Sequence, residues 1–402
     1  PRSTLSSSSA ASDVYKRQVL FSPVFIVVSS IFIVLSMYFF SGRAVLHNNY
    51  STIDRIIHKI AFNTYNIQVA LAEIEDTLYN KKLLPCPLER PVFITALPRA
   101  GTTLLLECCT TLNEFTSHTY RDMPFVLIPC LWNTFSAPFQ KSGELKERAH
   151  NDGMLIGYES FEAFEEVVWK TFWKHHYKED CIVPWNNENS SEFNEFFCNH
   201  IKKILHLRSG GDAGEVRYIS KNNLNISRTA YLKQIFPDST IIVPFREPFQ
   251  HANSLLKQHQ NFLKIHKADT FASEYMRAIG HYDFGENLRP VDFDGWISRH
   301  KTERDPFSLA FWLKYWVVSY RALLRNAKFL RFFSYDALCE KPERGLQQLS
   351  LAIESKESIA LQSNIDRIKK IGSVAVEWQN IPESLIKEAH NIYDGMRELS
   401  IV

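Results

Sequence analysis

No stretch of this 402-residue chain reads G-x-x-x-x-G-K-[ST], the glycine loop and lysine on which ATP and GTP hydrolases seat their phosphates. An ordinary nucleotide hydrolase is thereby disfavoured. A large charge of one sign is missing too. The 46 basic and 44 acidic residues leave a formal net charge of +2, too little to hold nucleic acid by its backbone, so phosphate binding must be local. The seven cysteines contain no C-x-x-C pair, which argues against a zinc site or disulfide framework and for reduced or buried thiols. His175-His176 lack a second ligand pair at metal spacing, and no set of carboxylates is arranged for magnesium, so no metal is expected. Gly210, Gly211 and Gly214 form a lone cluster with no strand before it, which is weak as a nucleotide fingerprint.

What the chain does have is concentrated in residues 91–109. Residues 92–96 are apolar and β-branched between prolines, the pattern of a buried parallel strand. Residues 102–109 are leucine-rich without glycine or proline and open a helix. Between them Leu97, Pro98, Arg99, Ala100 and Gly101 make a tight turn. A strand, a glycine turn and a helix N-terminus form an anion cradle, because the first backbone N–H groups have no partner inside the helix and the helix dipole favours negative charge there. Thr102 and Thr103 add hydroxyl donors, and Arg99 adds a permanent cation. The alternative is a plain strand-to-helix turn without ligand.

Taken in order, residues 1–18 are Ser/Ala-rich and aperiodic, and they are set aside as a disordered or artefactual tail resembling an adapter-derived sequence. Residues 19–40 are 22 positions without a charge. About 20 suffice to cross a bilayer, so a transmembrane helix is expected, with orientation weakly defined. The implied location is a single-pass membrane protein, Golgi-type if eukaryotic, inner membrane or cytoplasm if bacterial. Residues 50–84 have apolar positions at helical spacing, among them Ile56, Ile57, Leu71, Ile74 and Leu78, and form an amphipathic lead-in. The main domain spans residues 85–402.

Within it, strands at 216–220, 239–245 and 329–335 alternate with helices at 227–236, 246–264, 309–326 and from 343 onward. A helical, aromatic segment is expected at 161–176, and a polar, irregular insertion or lid at 265–308. The alternation predicts an α/β fold with a central parallel sheet flanked by helices. Ligands in such sheets bind beyond the carboxyl ends of the strands, so Arg99 and Arg246, each just after a strand, should face one crevice. Ser254 lies eight residues beyond Arg246, about two turns into the next helix, where a guanidinium fork and a hydroxyl suit a second phosphate.

Three segments carry a family resemblance: Pro98-Arg99-Ala100-Gly101-Thr102-Thr103, Arg246-Glu247-Pro248 through Ser254, and Ser334-Tyr335-Asp336-Ala337-Leu338. Together, in this order and at strand ends, they resemble sulfotransferases, over roughly residues 91–353. The resemblance is closest to the Golgi-type and bacterial branch that includes tyrosylprotein sulfotransferases. It implies a three-layer fold like that of P-loop NTPases and a 3′-phosphoadenosine-5′-phosphosulfate (PAPS) donor. The first segment, Pro98 to Thr103, would bind its 5′-phosphosulfate, and Arg246 with Ser254 its 3′-phosphate. The chain departs from the cytosolic small-molecule branch, whose loop has lysine where Arg99 stands and whose catalytic histidine has no aligned position here.

Sulfuryl transfer needs cations on the leaving phosphate oxygen and a base for the acceptor. Arg99 is the first choice of cation and Lys221 the second; a solvated loop lysine is the alternative for Lys221. Asp122 is the leading base, placed at about the distance from the loop at which the tyrosylprotein branch has its catalytic glutamate, with an ion pair to Arg121 or a helix cap as the alternative. His118 is the second candidate. The acceptor hydroxyl or amine is expected on a carbohydrate, glycoconjugate or lipid-linked glycan, from the aromatic content and the membrane segment; no nucleic-acid partner is expected. Competing readings are a non-catalytic membrane-anchored nucleotide-binding protein and a kinase without a Walker lysine.

Overall fold

The computed structural model describes residues 52–83, 88–137, 146–147, 155–156, 160–162, 164–209, 216–299, 304–369, 372 and 381–402. The tail at 1–18, the apolar stretch at 19–40 and the glycine cluster at 210–214 lie outside the described residues. Among the described residues no helix is long and apolar enough to cross a membrane.

The sheet has five strands: β1 (Val92–Ile94), β2 (Phe115–Thr116), β3 (Arg217–Lys221), β4 (Thr240–Phe245) and β5 (Leu330–Ser334), in the order β2-β3-β1-β4-β5. Every pairing is parallel, with Phe93 beside Ser220 on one side and Ile241 on the other. Alternate residues of β1 serve opposite faces. Val92 and Ile94 join one core with Leu105, Cys109 and Leu346, and Phe93 joins the other with Phe197, Tyr218 and Phe236. A strand buried on both faces must be apolar throughout, and the short β1 is. This is the expected α/β architecture, and β1 sits at its centre.

The helices that matter for the site are, in chain order, α1 (Thr52–Asn63), α2 (Tyr65–Leu83), α3 (Thr102–Cys109), α4 (Glu165–Phe172), α5 (Ser191–Arg208), α6 (Thr229–Ile235), α7 (Pro248–Ala268), α8 (Thr270–Ala278), α9 (Leu309–Arg325), α10 (Tyr335–Glu340) and α11 (Glu383–Glu398). Local chemistry explains several starts. Ser190 caps α5 by accepting from Phe193 N at 3.2 Å, and Ser308 caps α9 in the same way. Glu247 accepts from Gln250 N at 2.7 Å, and Pro248 opens α7 where its missing N–H costs nothing.

Two expectations need correction. The lead-in is two helices, broken at Thr64, whose hydroxyl donates back to Ile60 O at 2.9 Å. Leu71, Ala72 and Glu75 are buried, while Ile56, Ile74 and Leu78 of the expected packed face are 49%, 43% and 66% exposed. Glu75 and Asp76 instead meet Lys203 of α5 at 2.9 and 2.6 Å. The stretch 265–308 is also more regular than predicted. α7 runs on to Ala268, and α8 follows directly, capped by Asp269 on Phe271 N at 3.0 Å.

Candidate functional site

The turn between β1 and α3 is built on two left-handed residues, Arg99 at φ 70° and Gly101 at φ 92°. A methyl group at Gly101 would also run into the ring of Tyr335, so glycine is required twice over. Arg99 has a Cβ and adopts this region at a cost of about 1–2 kcal/mol. Pro98 and Ala100 are buried, Arg99 and Thr103 half-buried. His251 of α7 holds the turn from below. Trp316 Nε1 donates to its Nδ1 at 3.2 Å, so Nε2 carries the proton and donates to Pro98 O at 2.8 Å. Burial first, then the neighbouring Arg246 and Arg99, hold this imidazole down to about 3, so it stays neutral.

The parts far apart in sequence do converge. Arg246 donates from Nη1 to the Arg99 carbonyl at 3.0 Å, and Arg99 Nε faces Ser254 Oγ at 3.4 Å. Arg246 stands over the Tyr335 ring, 5.6 Å from its centre, and its Nε is a buried donor without a hydrogen-bond acceptor among the described residues. The third resembling segment closes the same site. Asp336 accepts from Glu247 N at 2.7 Å and from the Tyr393 hydroxyl at 3.2 Å. Two guanidiniums, a serine and a helix N-terminus thus surround one region at the carboxyl ends of β1 and β4.

Lys221 ends β3 on the other side of β1 and is buried. It lines a polar cleft with Glu166, Asn223, Gly280, His281 and Asp283. Glu166 pairs with the buried Arg228 and accepts from Asn222 Nδ2 at 2.7 Å, which fixes the loop after β3. Asn223 reaches the anion turn, since Thr102 Oγ1 donates to its Oδ1 at 3.4 Å. Sequence reasoning missed Asn223, Asp283 and His251, and named Tyr335 only within the third resembling segment without a role. Asn223, two residues beyond Lys221 at a strand end, was the one with a positional signal.

Asp122 and His118 are placed differently. Asp122 is 2% exposed, pairs with Arg208 at the end of α5, and accepts from Thr119 N at 2.9 Å as part of a capping box. His118 lies 3.4 Å from it and stacks on His200 with 3.3 Å between the two Nε2 atoms. Burial pushes the Asp122 carboxyl up. The His118 hydrogen bond and the charge of Arg208 outweigh this and hold it below the ordinary carboxylate range. A carboxylate so stabilised is a weak proton acceptor. The geometry gives Asp122 the ion-pair and cap role, with Arg208 as partner in place of Arg121. Asp122→Asn is expected to cost about 3–5 kcal/mol, as for a broken buried ion pair, and to leave turnover within a few-fold of the parent. Denaturant unfolding and a rate at saturating donor check both halves.

Among the described residues no group of three or more His, Cys, Asp or Glu is arranged to hold a metal ion, and Cys108, Cys109, Cys130, Cys181, Cys198 and Cys339 are free thiols. His176 is packed face to face on Trp185 and bonded through Nδ1 to Val183 O at 2.8 Å.

Residues 91–284, which hold the anion turn, Lys221, Arg246, Ser254 and Asp283, match the model of the sulfotransferase family. That stretch is a sulfotransferase-family segment. The chain is accordingly a transferase. Among solved structures the chain is similar to the sulfotransferase STF1 of Mycobacterium tuberculosis H37Rv, with 11% identity over 83% of this chain and 84% of that one and a TM-score of 0.44. It is also similar to the sulfotransferase STF9 of Mycobacterium avium, with 14% identity over 83% and 82% and a TM-score of 0.47. No curated protein matches this chain in sequence.

Proposed function

We propose that this sulfotransferase takes its sulfuryl group from PAPS and delivers it to a hydroxyl or amine of a carbohydrate or glycoconjugate. The observation that carries the donor reading is the orphaned Nε of Arg246, buried in a side chain that braces the Arg99 carbonyl, while Arg99 in turn faces Ser254. A buried guanidinium nitrogen without an acceptor is costly unless an anion completes it. Arg246 directly follows β4, while the anion turn follows β1, so two phosphate positions are available, matching a nucleotide with a 5′-phosphosulfate and a separate 3′-phosphate.

In this reading the α3 N-terminus with Thr102 and Thr103 holds the 5′ end, and Arg246 with Ser254 holds the 3′-phosphate. Arg99 and Lys221 stabilise negative charge on the phosphate oxygen that leaves. When bound, the donor supplies an activated sulfuryl group, and the protein supplies position and charge. Residues 19–40 would tether the enzyme to a membrane. The test is thermal stabilisation by 3′-phosphoadenosine 5′-phosphate (PAP) against adenosine 5′-monophosphate, in chelator. PAP is expected to stabilise far more. Equal stabilisation by both would remove the 3′-phosphate site and with it the donor reading.

A further inference from the structure

With Asp122 committed to Arg208, the acceptor's proton needs another destination, and the cleft at the end of β3 offers one. The chain leaving α8 turns through Gly280 at φ 85°, where a methyl group would run into the Glu166 side chain. It then presents His281 and Asp283 to the cleft that Lys221 and Asn223 line from the sheet. This short segment is braced on both sides. His281 N donates to Met276 O at 2.8 Å, Arg289 N donates to Tyr282 O at 2.8 Å, and Tyr282 is buried between them.

Asp283 is tied to the anion turn through one side chain. Asn223 Nδ2 donates to Asp283 Oδ2 at 3.3 Å, and Asn223 Oδ1 accepts from Thr102 at 3.4 Å. The carboxylate is therefore a single amide away from the first residue of α3. The same oxygen, Oδ2, lies 3.7 Å from His281 Nδ1. The two side chains are 10% and 17% exposed, sheltered yet open to water. Asp122 is held by Arg208 together with His118 at 2% exposure, whereas Asp283 pairs with His281 at the edge of the cleft, and that histidine can itself take up a proton. The other ionisable groups around it are Lys221 and Glu166 in the cleft and the buried Tyr315 of α9.

We propose that the cleft receives the acceptor hydroxyl and that the Asp283 carboxylate takes its proton, which His281 Nδ1 then passes to solvent. This rests on the donor reading above. As the acceptor oxygen bonds to sulfur, the bond from sulfur to the bridging phosphate oxygen breaks. Its electron pair stays on that phosphate, next to Arg99 and Lys221, and the hydroxyl proton goes to Asp283. Asn223 holds the carboxylate in register with the turn and is a positioning residue.

The experiment compares Asp283→Asn with the parent, using labelled PAPS and two probe acceptors, phenol and 4-nitrophenol. It is run at a mildly alkaline pH at which 4-nitrophenol is ionised and phenol is not. Asparagine keeps the size of the side chain and an oxygen for Asn223. The phenol rate is expected to fall by about 10²- to 10⁴-fold, the usual effect of losing a general base. The 4-nitrophenolate rate should fall far less, because that acceptor has no proton to give. PAP stabilisation should be unchanged, and Asp283→Glu should recover part of the phenol rate. A phenol rate within a few-fold of the parent, or an equal fall with both acceptors, would overturn the assignment. Failure of PAP to stabilise the parent protein is a separate result, which would remove the donor reading.

Discussion

Arg99→Gly is expected to lower turnover by about 10²- to 10³-fold while leaving the fold as stable as the parent, the size of effect seen when one group that stabilises a developing oxyanion is removed. Glycine is the informative replacement because Arg99 sits at φ 70°. Removing its Cβ relieves a strain of about 1–2 kcal/mol. The added freedom of glycine in the unfolded chain takes back about 0.5–1 kcal/mol. The backbone of the turn is thus undisturbed and only the guanidinium is lost. Its hydrogen bond to Ser254, at 3.4 Å, is a long one. Thermal unfolding and a single-turnover rate read the two effects separately. A rate within a few-fold of the parent would mean that Arg99 serves the turn and not the reaction, and Lys221 would become the cation to test.

Arg246→Ala should weaken PAP binding by about 10- to 100-fold, the equivalent of about 1.5–3 kcal/mol for a hydrogen bond to a charged group. The structure adds a second contribution, because Arg246 also braces the turn through the Arg99 carbonyl at 3.0 Å. An analogue without the 3′-phosphate separates them. The direct phosphate contact disappears from the comparison, and whatever loss remains measures the brace. Calorimetric titration of both ligands into both proteins gives the four affinities needed. Unchanged PAP affinity in the variant would take the 3′-phosphate away from Arg246.

Legibility from sequence followed the range of the interactions. The turn at residues 97–101 could be read because strand, proline, glycine and helix start are neighbours, and their combination has few structural solutions. Arg246 and Ser254 were readable for the same reason: they straddle one strand-to-helix junction, and parallel topology sends both junctions to one edge of the sheet. The role of Asp122 was not readable, since its partner Arg208 comes 86 residues later, and nothing near Asp122 announces it. Thr64 divides the lead-in without glycine or proline, so periodicity alone carried the expected helix across the break, and it put Ile56, Ile74 and Leu78 on a packed face where the structure leaves them exposed. Asp283 stands in a stretch whose composition suggested a lid. Only the closure of residues 279–283 against α4 and β3 brings it beside Asn223. The cap and ion-pair alternatives for Asp122 were visible, but choosing between them and catalysis required the position of α5.

The most direct measurement is a pair of label-transfer assays on the same protein, one with PAPS labelled in its sulfuryl group and one with ATP labelled in its terminal phosphate, each offered carbohydrate acceptors in the presence of chelator. Label should pass from PAPS to an acceptor, and none should pass from ATP. Transfer from ATP, or PAP binding without any transfer from PAPS, would contradict a sulfuryl-transferring active site at the ends of β1, β3 and β4.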